Sequence, residues 1–203
     1  NMNREQLLWL GGYISAAIDF APVATNTLGG AQPQPKAVGH VSEAVTLTGA
    51  KSLTVLYGSH SGNSQKVAAM AHQEAERLGI NSRLLSMEDY NVRFLKDEEQ
   101  LLVIVSTHGE GEPPVVAQEL YELLAGKKAP SLQDKPFAVI ALGDSSYTKF
   151  CQTGIDFHQF LKRQGATALQ DVVTLDVDFA NELPKTLPAL VKLFASTGSS
   201  TNA

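Results

Sequence analysis

Leu53-Thr54-Val55-Leu56-Tyr57-Gly58-Ser59-His60-Ser61-Gly62-Asn63-Ser64 decides the fold of this chain. Its first five residues form an apolar run that reads as a buried parallel strand. A serine- and glycine-rich turn follows. From Ser64 to Leu78 the spacing then becomes helical, and Gly79 supplies a helix stop. A strand passed through a short polar loop to a helix N-terminus is the first half of a strand–helix–strand unit. The pattern recurs downstream. Ser82 to Ser86 reads as strand two, and the polar turn from Glu88 to Arg93 leads to strand three at Leu101 to Val105. Pro113-Pro114 opens a helix from Val115 to Leu124, a position proline tolerates. Phe137 to Leu142 is strand four, Phe150 to Arg163 a helix closed by Gly165, and Val172 to Leu175 the end of strand five. Leu183 to Phe194 is the last helix. Five strands alternating with helices imply an α/β fold, a doubly wound parallel sheet flanked by helices.

The flanks have a different texture. Leu7, Leu10, Tyr13, Ile14, Ala17 and Ile18 fall on one face of a short helix within residues 1–20. Residues 21–50 carry Pro22, Gly29, Gly30, Pro33, Pro35 and Gly39 among Ala, Thr and Gln, a flexible linker composition. Such a helix on a tether cannot bury its own stripe, so it is expected to associate with the domain, with other copies of the chain or with a partner. The domain itself is expected over 51–195, with a linker at 196–203. Both ends read as cut from a longer polypeptide.

The chain has 203 residues, 43% hydrophobic and 18% charged, enough to bury a core. A net charge of −5 argues against nucleic acid, which selects a basic face. No apolar stretch is long enough for a membrane span. The single Cys151 excludes an intrachain disulfide framework and a cysteine metal cluster, and a cytoplasmic setting is expected.

In an open α/β sheet, ligands sit beyond the carboxyl ends of the strands, where the strand order reverses. Three loops leave that edge. The first, Ser59-His60-Ser61-Gly62-Asn63-Ser64, joins a strand to a helix N-terminus, where free N–H groups and the helix dipole favour an anion. It lacks the Gly-Lys-Ser/Thr ending of a nucleoside-triphosphate loop and the Gly-x-Gly-x-x-Gly dinucleotide fingerprint. With no Lys or Arg inside it, the loop suits a small resident monophosphate. The second loop, Ser106-Thr107-His108-Gly109-Glu110-Gly111-Glu112-Pro113-Pro114, offers backbone amides to a flat heteroaromatic ring, with His108 a stacking candidate. The third, Leu142-Gly143-Asp144-Ser145-Ser146-Tyr147, ends in a candidate aromatic lid. Nothing in it forms a hydrolase nucleophile elbow. Cys151 reads as packing, since no partner for thiol chemistry is in reach of the pattern. The three loops together fit flavin mononucleotide (FMN).

Leu142 to Tyr147 with the following Phe150-Cys151-Gln152 resembles the flavin-ring loop of the diflavin reductases. Ser106 to Pro114 resembles their other ring loop, and Ser59 to Asn63 their phosphate loop. Within these reductases, Glu-Gly-Glu-Pro-Pro and Asp-Ser-Ser-Tyr are most similar to the flavoproteins of bacterial NADPH-dependent sulfite reductases. The resemblance covers about residues 51–194 and, more loosely, the N-terminal helix and linker. It implies a flavodoxin-like fold, strand order 2-1-3-4-5, and noncovalent FMN. Ser59, His60, Ser61, Gly62, Asn63 and Ser64 match the phosphate loop. Ser106, Thr107, His108 and Gly109 match one ring loop. Leu142, Gly143, Asp144, Ser145, Ser146, Tyr147, Thr148, Lys149, Phe150 and Cys151 match the other, with Tyr147 as the stacking residue. Asp176 and Asp178 fall where relatives often place acids near the flavin edge. Two positions depart: relatives usually carry Gln or Thr at His60, and Gln or Tyr at His108.

The same resemblance implies the reaction. An FAD/NADPH-binding module of the same polypeptide takes hydride from NADPH and passes electrons to FMN, which reduces a haemoprotein subunit carrying sirohaem and an iron–sulfur cluster. That partner converts sulfite to sulfide. The residues read here would then carry electrons without an NADPH site or a metal of their own. Two alternatives are a free flavodoxin or another diflavin reductase, and a flavin-free receiver module. The receiver needs acids after strand one and an Asp after strand three, where Ser59 and Ser106 stand.

Overall fold

The computed structural model describes residues 51–197. The expected amphipathic helix and linker at the start of the chain, and the tail from 198, lie outside the described residues. The quoted opening folds as read. Strand β1 (Leu53–Gly58) passes through the first loop into helix α1 (Asn63–Arg77). Strand β2 (Ser82–Ser86), a 3-10 turn (Val92–Asp97) and strand β3 (Gln100–Ser106) follow. A 3-10 turn (Val115–Ala117) precedes helix α2 (Gln118–Ala125), then come strand β4 (Pro136–Leu142) and helix α3 (Gln152–Arg163). Short strands β5 (Thr167–Ala168) and β6 (Val173–Leu175) lead through a 3-10 turn (Phe179–Asn181) to helix α4 (Leu183–Ser196).

The sheet is parallel with order β2-β1-β3-β4-β5, and β6 also pairs with β4. The expected fifth strand is therefore split. Ala168 pairs with Phe137 and Val173 with Ile140, so β4 advances three residues while its neighbour advances five. Two residues too many leave the ladder around Gln170-Asp171. An edge strand accommodates such a bulge because only one side must stay paired.

Central strands β3 and β4 are buried on both faces, as their unbroken apolar runs require. One face packs on α1 and α4, with Val67, Ala71, Leu187 and Phe194 against Leu102 and Ile140. The other packs on α2 and α3, with Leu120, Leu124, Phe157 and Leu161 against Val103 and Val139. Gly154 lets α3 lie close on the sheet: a Cβ there would fall 2.2 Å from the Ala141 Cβ. Helix α3 starts two residues later than its pattern predicts, because Cys151 adopts φ +56° and sets the chain direction into it.

At the amino ends of the strands a buried carboxylate closes the sheet. Glu98 accepts from Tyr90 Oη at 2.9 Å and also binds Thr54 and Arg83, whose Nε donates to Thr54 Oγ1 at 2.9 Å. Burial, and secondarily the Glu98 bond, raise the Tyr90 phenol pKa far above its ordinary value. This network ties β1, β2 and the turn before β3 at the end remote from the three loops. No helix among the described residues is long and apolar enough to cross a membrane.

Candidate functional site

The carboxyl ends of β1, β3 and β4 lie side by side, in the register Gly58 to Val105 and Ser106 to Leu142. The three loops consequently spring from one edge.

The first loop is tight. Gly62 takes φ +84°, a left-handed conformation that glycine adopts without a Cβ clash, and turns the chain into α1. The first N–H groups of a helix have no intrahelical acceptor. Ser59 Oγ satisfies one, accepting from the Ser64 amide at 3.2 Å. His60 and Ser61 are exposed, Ser59, Gly62 and Asn63 half-buried, and Ser64 fully buried.

The second loop closes on itself. The His108 amide donates to Glu112 O at 2.9 Å, and the Glu112 amide to His108 O at 2.9 Å. Gly109 turns between them at φ +51°. Thr107 N donates to Leu142 O at 2.9 Å and so straps the loop to β4. Helix α3 clamps it from the other side: Thr153 N donates to Thr107 Oγ1 at 3.2 Å, and Thr153 Oγ1 to Glu112 O at 3.0 Å.

In the third loop, Asp144 Oδ1 accepts from the Ser146 amide and hydroxyl, a local aspartate turn. Ser145 N donates to Asp176 Oδ1 at 3.0 Å, fixing the loop to the segment after β6. Bonds from Ser145, side chain first, and from the Val177 amide hold the Asp176 carboxyl below its usual range. Tyr147, Thr148 and Lys149 are exposed. Lys149 packs over Gly111, where a Cβ would fall 3.1 Å from its own.

Loops one and two meet directly: the His60 and His108 rings lie 4.7 Å apart between centroids, tilted by 44°. Loops two and three meet through Lys149 and Gly111. Leu142 and Cys151 are buried beneath the loops and offer them support rather than a surface. The Cys151 thiol packs against Ala141 O, and burial pushes its pKa up to about 12, which disfavours the thiolate. Phe150 is half-buried, and Gly143 leaves room for Phe150 and the Cys151 amide, which a Cβ would meet at 2.9 and 2.8 Å.

Two buried hydroxyls here, Ser64 Oγ and Ser106 Oγ, have no hydrogen-bond partner in the described structure. One opens α1 and the other ends β3. An unsatisfied buried hydroxyl costs roughly 1–3 kcal/mol, which a polar ligand between the loops would relieve. The donor set therefore fits a phosphorylated, heteroaromatic cofactor.

The flavodoxin family profile matches residues 55–187, spanning all three loops. The chain belongs to the flavodoxin family. Sulfite reductase [NADPH] flavoprotein alpha-component of Shewanella oneidensis is 44% identical over 178 residues, covering 88% of this chain and 27% of that protein. The corresponding protein of Bacillus subtilis is 38% identical over 202 residues, covering 100% of this chain and 32% of that one. The chain thus spans about a third or less of the length of the curated relatives it matches. Among solved structures, the Streptococcus pneumonia TIGR4 flavodoxin superposes with a TM-score of 0.66 at 23% identity, covering 72% of this chain and 99% of its own. Flavodoxin 2 from Bacillus cereus gives 0.65 at 22%, with 72% and 99% covered. These likenesses establish the fold.

In this flavodoxin domain, sequence reasoning missed Thr153, and it placed Asp176 only by analogy. Thr153 lies 46 residues from Thr107 and Asp176 lies 31 from Ser145. A threonine in an amphipathic helix carries no local mark of such a bond. The sole available signal was its place in the first turn after the third loop.

Proposed function

We propose that this flavodoxin domain holds FMN noncovalently between its three loops and is the electron-transfer domain of an NADPH-dependent sulfite reductase flavoprotein. The observation that carries the cofactor reading is the convergence of the loops on one sheet edge, with the Ser64 and Ser106 hydroxyls at the roots of two of them left without a partner. Bound there, FMN supplies reversible one- and two-electron chemistry. Ser59, Ser61, Asn63, Ser64 and the first-turn amides of α1 hold the phosphate, where the helix dipole favours an anion. Backbone groups of Thr107 to Gly109 and Gly143 to Ser146 orient the ring, and Tyr147 covers one face.

The reaction reading rests on relatives named sulfite reductase flavoprotein alpha-component at 38–45% identity. In it, an FAD/NADPH module of the same polypeptide is the electron source, and the sirohaem and iron–sulfur haemoprotein the acceptor. Glu110, Glu112 and Asp144 rim the site and attract a basic partner. The setting is cytoplasmic, in keeping with a single, buried cysteine. In this reading residues 1–50 tether the domain and assemble the holoprotein.

The purified chain is expected to be yellow and to release about one FMN and no FAD on denaturation, the ratio of a single site. Reduced, it is expected to reduce a sulfite reductase haemoprotein in stopped flow. A colourless chain that binds no added FMN would refute the cofactor. A flavin-loaded chain inert toward the haemoprotein would refute the partner alone.

A further inference from the structure

We propose that His60 and His108 form a two-imidazole site for a divalent zinc, nickel or copper ion where the first loop meets the second. The inference concerns the histidines themselves and does not depend on the flavin reading. The two rings come from the loops that follow neighbouring parallel strands, β1 and β3, and lie 4.7 Å apart between centroids. An ion about 2.1 Å from one nitrogen of each ring puts the centroids roughly 4.6 Å apart at a square angle and roughly 5.3 Å at a tetrahedral one, so the observed spacing suits the square end. The 44° tilt departs from parallel stacking.

Both imidazoles are exposed and available. The ion pairs among the described residues engage His72, Arg77 and Arg83 instead. Imidazole nitrogen is the ligand these ions prefer among side chains of intermediate softness. The local field also favours a cation. Glu110 and Glu112 flank the second loop, and the Glu112 carboxylate folds back so that a Cβ on Gly109 would lie 2.7 Å from its Oε2. Lys149, over Gly111, opposes them. No set of three metal-ligating side chains exists among the described residues. Water therefore completes the coordination, and the ion exchanges readily. While bound, it staples the β1–α1 loop to the β3 loop and stabilises the fold by linkage.

The test is a competition titration of Zn²⁺ against a colorimetric chelator, on the full chain as purified and after removal of any bound flavin. One ion per chain is expected in at least the flavin-stripped form. His60→Gln and His108→Gln should each lower the affinity by about tenfold or more, since even losing an outer-shell partner of a ligand has that effect. His72→Gln, at the other paired histidine, should leave it unchanged. Zn²⁺ should raise the thermal midpoint of the parent and of His72→Gln, and fail to do so in the other two. Unaltered circular dichroism keeps the comparison fair for these exposed positions. Absence of binding from both forms, equal affinity in either loop variant, or an equal loss in His72→Gln would overturn the site.

Discussion

Tyr147 is 56% exposed, an aromatic ring left in solvent at the tip of the third loop. A ring that covers a flavin face has a reason to be there. Tyr147→Ala should lower FMN affinity about three- to tenfold, the worth of one aromatic pair, and relieve quenching of flavin fluorescence. Fluorescence titration reads both. His158 is the opposite case, buried beside Phe137 with no partner for Nδ1. Burial, then Lys162, lower its pKa from 6.5, with Asp171 opposing. The unfolded chain thus binds this proton more tightly than the folded one. Stability is complete above about pH 6.5 and falls as pH drops through the depressed folded value. Urea melts at pH 7.5 and 5.5 should show the loss, and His158→Phe should shrink it. The loop positions of Ser61 and Tyr147 were legible because strand–loop–helix punctuation is local. The role of His158 was not, since a histidine at an apolar helical spacing does not announce a missing partner.

Strand and helix positions followed from periodicity wherever the apolar pattern was unbroken, as in β3 and β4. Two departures lie where a local rule gave way to the neighbour. Edge strand β5–β6 splits because its register against β4 leaves two residues over. The start of α3 slips because Cys151 turns the chain at a positive φ that sequence reserves for glycine. Gly154, a poor helix former, sets how closely α3 meets the sheet. Gly154→Ala puts a methyl 2.2 Å from the Ala141 Cβ. Although alanine is the better helix former, this overpacking should destabilise the domain by about 1–3 kcal/mol. Because Thr153 is next to it, the strap on the second loop should loosen too. Chemical denaturation and hydrogen exchange at Thr107 and His108 report the two effects.

At the scale of the molecule, the sheet separates two tasks. The Glu98 network closes the amino ends of β1 and β2, while the opposite edge is left to loops whose polar groups are only partly satisfied. That division was legible as a whole: strand–loop–helix units send their special loops to one edge. What no single loop disclosed is how they brace one another through Thr153, Asp176 and Lys149. The acidic rim belongs to this scale also. Glu110→Lys, and more strongly Glu110→Lys with Glu112→Lys, should slow electron transfer to the haemoprotein by about tenfold or more at low salt. FMN content should stay intact and the difference should shrink as salt is added. Stopped-flow rates across ionic strength decide it.

The central claim is that the first loop holds the terminal phosphate of FMN. Ser61 is exposed and Asn63 half-buried beside the start of α1. The direct measurement compares the affinities of FMN and riboflavin in the parent chain and in Ser61→Ala/Asn63→Ala. The account predicts that FMN loses about tenfold or more, two hydrogen bonds to a charged group, while riboflavin changes little. Equal losses for the two flavins would contradict it.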